Sequence, residues 1–138
     1  MKRTIRENIH TPYSLHDTNI IALDAEENKL TLRTQSGMVQ AFPPYGQPDG
    51  YVEFHGVLWE FCHVYLLGRT GNERKFSGEK MLLTDFISRY KRFGFSVMEE
   101  TFGCNRTKYS GYLSADREHR ECMIEIYHEG DMVYVTDE

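Results

Sequence analysis

Cysteine is scarce: Cys62, Cys104 and Cys122 are odd in number and far apart, with no C-x-x-C pair. This suits reduced thiols and argues against a disulfide framework or a thiolate zinc site. Long apolar runs are missing too, since no window reaches the roughly 18 residues that span a bilayer. The basic stretch MKRTIRENIHTPYSLHD holds no apolar segment of about 7 to 15 residues, so it does not read as a secretion signal. A cytoplasmic protein with no membrane partner is expected. The NRT at 105–107 then matches a glycosylation acceptor in form only. Positive charge is also short, and a formal net charge of -5 disfavours phosphate backbones, whose affinity comes from Lys and Arg displacing counterions. Arg89, Lys91 and Arg92 in SRYKRFG read as a solvated helix face. No nucleic-acid partner is expected.

Catalytic signatures are absent as well. The glycine-bearing stretch GRTGNERKFSGEK fits neither a nucleophile elbow nor a phosphate loop, and no H-x-H or H-E-x-x-H spacing occurs. No cofactor, metal or catalytic residue is therefore expected.

What is present is the profile of a folded chain: 138 residues, 40% hydrophobic, 27% charged and 13% aromatic. That length suits a single globular domain over 1–138. In TNIIALD and KLTLRT apolar residues recur at about every second position, as Ile21 and Leu23, then Leu30 and Leu32. This is the period of a half-buried strand, and AEEN between the runs reads as a hairpin turn. A further strand, MVQAF, follows Ser36-Gly37. The stretch PPYGQPDG, with three prolines and two glycines, reads as a loop.

The most apolar stretch, YVEFHGVLWEFCHVYLL at 51–67, is too long for one ordinary strand, and Gly56 is the place for a bulge or change of direction. Its even positions (Val52, Phe54, Leu58, Cys62, Val64, Leu66) form an aliphatic face expected to meet the core. Its odd positions (Tyr51, Glu53, His55, Trp59, Phe61, His63, Tyr65) form an aromatic, amphipathic face expected to cover a partly wet surface or wall a pocket. RTGNERKFSGEK reads as a polar loop. One short helix is expected at about 84–93, with Leu83, Phe86, Ile87 and Tyr90 on one side, Thr84 as N-cap and Gly94 at its end. FSVMEETF, KYSGYLS, CMIEIYH and MVYVT then read as four strands in meander order, joined by CNRT, ADREHRE and a tight EGD turn. The expectation is a mainly β protein, an antiparallel sandwich or flattened barrel of eight or nine strands with that helix closing an end or covering an edge.

His16 and Asp17 stand side by side before the first strand. Neighbours in an extended chain point to opposite faces, so the pair is expected to lead into the hairpin and to share no target. Glu53 and His55, at i and i+2, project the same way, whereas His63 would join them only through a reversal near Gly56. Cys62 and Cys122 read as small core residues and Cys104 as an exposed turn thiol. Glu99, Glu100, Glu121 and Glu125 sit where adjacent strands could face two carboxylates. Tyrosine is abundant; residues such as Tyr109, Tyr112, Tyr127 and Tyr134 are expected to pack with hydroxyls at the surface, some of them along a groove or interface.

With YSLHDTNIIALDAEENKLTL near the start and ECMIEIYHEGDMVYVT at the end, the chain resembles small bacterial hypothetical proteins that share an LHD lead-in to a β-hairpin. Its first half is similar to immunity proteins of bacterial contact-dependent toxin systems. That resemblance implies a protein partner and assigns no residue a role. The leading expectation is a non-enzymatic cytoplasmic protein-interaction module, immunity to a toxin being one version. The candidate partner-binding residues are Tyr51, Glu53, His55, Trp59, His63 and Tyr65. Two alternatives stay open: a small-molecule-binding β-barrel lined by the odd face, and a hydrolase using Glu53, His55 or His63.

Overall fold

The computed structural model of the chain describes residues 1–6, 11–68 and 78–137; the loop read at 69–80 lies outside them as far as residue 77, and its last three residues are not loop but the start of a strand, Gly78–Leu82. Twelve strands occur among the described residues. They are β1 (Lys2–Ile5), β2 (Tyr13–Ser14), β3 (Asn19–Glu26), β4 (Lys29–Thr34), β5 (Val39–Gln40), β6 (Gly50–Phe54), β7 (His63–Leu67), β8 (Gly78–Leu82), β9 (Gly94–Gly103), β10 (Arg106–Ala115), β11 (Glu118–Tyr127) and β12 (Met132–Thr136). One helix, α1 (Leu83–Arg89), follows β8 directly. The fold is mainly β and antiparallel, as the period of two implied. Ten strands form one sheet in the order β1-β12-β6-β4-β3-β9-β10-β11-β7-β8, and β2 pairs with β5 apart from it. The ends of that order, β1 and β8, are not joined, so the sheet is open and not a closed barrel.

The strand count exceeds eight or nine because β1, β2 and β8 are short or polar and carry little periodic signal. The sheet bends over one core. Phe54 of β6 meets Tyr109 of β10 with ring centroids 6.4 Å apart, although three strands lie between them in the hydrogen-bonded order. Leu30, Leu32, Val52 and Phe54 from one half, and Val64, Leu66, Ile124 and Ile126 from the other, are buried in the same cluster. Helix α1 packs against β3 on one side and β7, β8 and β11 on the other, with Leu83 and Phe86 fully buried. It thus bridges the two halves.

Several local expectations are corrected. The helix starts at Leu83 and ends at Arg89, with Leu82 as an N-cap that makes no side-chain bond. Thr84 therefore lies inside it. Ile21 is 42% exposed while Ile20 is fully buried; a register irregularity between Ile20 and Ala22 shifts the parity by one. The meander covers β9, β10 and β11 only. After Tyr127 the chain crosses to the other half, where β12 inserts between β1 and β6. The EGD stretch is thus a crossing and no hairpin turn, pinned by Gly130 N–H donating to His55 O at 2.9 Å. The turn within ADREHRE narrows to Asp116 and Arg117, both at positive φ, the backbone that two-residue hairpins require. Gly56, at φ +64, does interrupt the 51–67 stretch, and Trp59–Phe61 form a 3-10 turn before β7.

Candidate functional site

Alternation along β7, β9, β10 and β11 sends Val64, Leu66, Val97, Tyr109, Cys122, Ile124 and Ile126 inward, and the residues between them onto the outer face. Strand register then sets that face out in rows. Tyr112 stands opposite Glu121, which stands opposite Leu67. Next come Glu99, Ser110, Met123, Tyr65 and Lys80 in line. Below them are Thr101, Lys108, Glu125, His63 and Leu82, and last Arg106 opposite Tyr127. The surface is aromatic and methionine-bearing: Phe61 is 54% exposed, Tyr112 50% and Met98 43%.

Two shallow recesses share this face. The lower one, about 240 Å³, is lined by Phe61, His63, Tyr65, Arg106, Glu125 and Tyr127, with Lys80 at its margin. Its charges are internally satisfied. His63 Nδ1 and Arg106 Nη1 each stand 3.9 Å from a different oxygen of Glu125, and Lys80 Nζ sits 5.6 Å above the Tyr65 ring. The upper recess, also about 240 Å³, is bounded by Leu67, Met98, Glu99, Tyr112, Glu121 and Met123. A bulge builds it. Ser110 pairs with Glu99 but Gly111 pairs with Val97, so Met98 is the extra residue and is thrown outward. Gly111 permits the close approach, because a Cβ there would lie 1.8 Å from the Ser96 carbonyl oxygen.

The residues nominated from sequence fall in three places. His63 and Tyr65 are in the lower recess with Phe61. Trp59 is a structural pin, its Nε1–H donating to Glu27 O at 2.6 Å. Tyr51, Glu53 and His55 lie on β6 and just beyond it. There Glu53 Oε1 accepts from Arg3 Nη2 at 2.6 Å and stands 3.0 Å from His55 Nε2, while Arg33 covers the Tyr51 ring at 5.0 Å. Burial pushes the Glu53 carboxyl up, but the bonds from Arg3 and His55 outweigh it and hold the group below its ordinary range. Glu53 and His55 do meet, as their i, i+2 spacing implies. His63, on β7 near the far end of the strand order, pairs with Glu125 instead. Among the described residues no three His, Cys, Asp or Glu side chains are placed to hold one metal ion.

His16 and Asp17 do converge, contrary to the expectation from an extended chain. Asp17 adopts φ 65, and this turn brings its Oδ2 to 3.1 Å from His16 Nδ1. Both side chains are exposed and border a polar recess of about 430 Å³ with Ser14, Thr18, Val39 and Gln47. Ser14 Oγ donates to Glu100 Oε2 at 3.4 Å and accepts the His16 backbone N–H at 3.1 Å. The serine is therefore turned towards Glu100, and the three residues do not form a nucleophile–base–orienter chain. Burial raises the Glu100 carboxyl above its ordinary range, against bonds from Leu15 N–H and Ser14 that lower it.

Tyr13, Tyr109 and Tyr134 are fully buried, which corrects the expectation of surface hydroxyls for Tyr109 and Tyr134; the hydroxyls of Tyr13 and Tyr109 have no hydrogen-bond partner among the described residues. Cys62 and Cys122 are buried and Cys104 exposed, as their strand and turn positions implied. No protein-family model, curated protein or solved structure matches the chain. No helix is long and apolar enough to cross a membrane among the described residues.

The sequence pointed to His63 and Tyr65 of β7 as a site, and named Glu99, Glu121 and Glu125 as carboxylates and Tyr112 and Tyr127 as groove candidates without joining them to it. Arg106, Glu125 and Tyr127 complete the lower recess, and Met98, Tyr112 and Met123 the upper one. Reading β10 and β11 at a period of two would have placed Tyr112, Glu121, Met123, Glu125 and Tyr127 together; only pairing register could join them to His63 and Tyr65.

Proposed function

We propose that the chain is a non-enzymatic protein-interaction module that docks a partner protein on the outer face of β7, β9, β10 and β11. The observation that carries this reading is the grouping of Phe61, Tyr65, Met98, Tyr112, Met123 and Tyr127 on one sheet face, three of them (Phe61, Met98 and Tyr112) more than 40% exposed. Aromatic residues and methionine are the types enriched in interface cores. Recesses of about 240 Å³ are smaller than the roughly 300 to 1,000 Å³ of sites that engulf a small molecule; they match single side chains of a partner. The barrel alternative loses its lumen because the sheet is open. The hydrolase alternative loses its third member because His63 stands with Glu125, and Glu53 is already engaged by Arg3. A cytoplasmic toxin-immunity role remains one version of the interaction reading.

The test is affinity capture from cells that carry the protein, with wild type, a Phe61→Asp/Tyr112→Asp variant and an Ile21→Asp control on the other half of the sheet. Circular dichroism establishes that each is folded. One protein should co-elute in stoichiometric amount with wild type and the control, and be lost with the face variant. Equal recovery on all three, or recovery of none, rejects the reading.

A further inference from the structure

The two recesses differ in how their charges are used. In the lower one the Glu125 carboxylate faces His63 and Arg106, and Lys80 lies over the Tyr65 ring. In the upper one Glu99 and Glu121 are exposed, and neither carboxylate has an ion pair or hydrogen bond to a described residue. They flank β10 from β9 and β11, two strand spacings across and two residues apart along the strands, about 12 Å at the backbone. Between them lie Ser110, the side-chain-free Gly111, and the Tyr112 ring. The cation nearest in register, Lys108, stands one row down, opposite Thr101 and Glu125. The apolar parts of Met98, Met123 and Leu67 complete the wall.

This inference rests on the docking face and names the chemistry of what it takes: we propose that the upper recess seats an arginine side chain of the partner protein, its guanidinium between Glu99 and Glu121 and its stem along Met98, Met123 and Leu67. Three physical features agree. A planar guanidinium stacks on an aromatic ring such as Tyr112. It donates to two carboxylates at once. The methylene stem covers apolar surface that the exposed Met98 now offers to water. The chain's net charge of -5 favours approach of a basic partner.

The test is a titration of the isotope-labelled protein, followed by amide chemical shifts, with the peptide acetyl-Leu-Arg-Leu-Arg-Leu-amide. A second peptide replaces each arginine by citrulline, which keeps the shape and removes the charge. The arginine peptide should shift Glu99, Gly111, Glu121 and Met123. The citrulline peptide, and the Glu99→Gln/Glu121→Gln variant with the arginine peptide, should each bind about 10-fold more weakly. Rising salt should weaken the arginine peptide alone. Equal binding of both peptides, an unchanged affinity in the glutamine variant, or no shift at the recess with millimolar arginine peptide overturns the proposal. The docking face is judged separately by the capture experiment, where Phe61 and Tyr112 can still be required when the two carboxylates are not.

Discussion

Arg3 closes on Glu53 at 2.6 Å across 50 positions of sequence, and the same carboxylate oxygen stands 3.0 Å from His55. Arg3→Ala leaves a buried carboxylate with one partner. Because the Arg3 side chain is half exposed, the loss should be about 1 kcal/mol at pH 7. Glu53 has its folded pKa held down. It therefore contributes stability that is present above the unfolded carboxyl value, about 4.3, and is lost as pH falls through the folded value. Urea unfolding at pH 7 and pH 3 should show the gap between wild type and Arg3→Ala narrowing at the lower pH.

Glu100 carries the opposite sign. Its folded carboxyl is raised by burial, so the folded state holds the proton more tightly than the unfolded chain, and stability falls as pH rises from the unfolded value through the folded one. Glu100→Gln keeps an oxygen for Leu15 N–H, which Glu100 accepts at 2.9 Å. The variant should match or exceed wild type at pH 7, and its thermal midpoint should vary less between pH 4.5 and 7 (about the window set by an ordinary carboxyl value).

Gly111→Ala tests the bulge. The added carbon would fall 1.8 Å from the Ser96 carbonyl oxygen, and backbone cannot swing away as a side chain can. A loss of about 3 kcal/mol or more is expected in denaturant unfolding, together with shifted amides at Met98 and Glu99.

The thiols should separate by accessibility. Burial pushes the Cys122 thiol up to about 12 and raises Cys62 as well, where Sγ stands 3.2 Å from Tyr127 N–H. Cys104 is exposed in the β9–β10 turn. Maleimide labelling of the native protein, read by mass, should modify Cys104 quickly and the other two only after unfolding.

Periodicity carried the fold only as far as local geometry allows. The alternation in 51–67 put Val52, Phe54, Cys62, Val64 and Leu66 in the core, where they are, but it failed just after the break at Gly56, where Val57 is buried and Leu58, expected inside, is only half-buried. It misplaced Ile21, because one irregular residue inverts which side faces inward and leaves no mark in composition. The EGD stretch has the chemistry of a tight turn, yet turn residues do not say which strand comes next in the sheet. β1 and β8 went unseen since edge strands are short and polar. His16 and Asp17 were misread for a related reason: a single positive φ at Asp17 overrides the parity of an extended chain. The face bearing Phe61, Tyr65, Tyr112 and Met123 draws on several strands, so its members could be named one by one from the sequence, while their grouping depends on a pairing register that the sequence does not display.

The placement of β12 bears on how the molecule assembles. Among the described residues β1 has β12 as its sole ladder partner, and β12 is also the second neighbour of β6, which pairs with β4 on its other edge. Hairpins such as β3–β4 and β10–β11 close over two-residue turns and need only nearby chain, whereas this three-strand seam joins Arg3 to Val135. Distant pairings of that kind pay a large loop-closure entropy before any contact rewards them. The seam should therefore zip late in refolding, and deleting residues 132–136 should strip β1 from the sheet and leave β6 with a bare, association-prone margin.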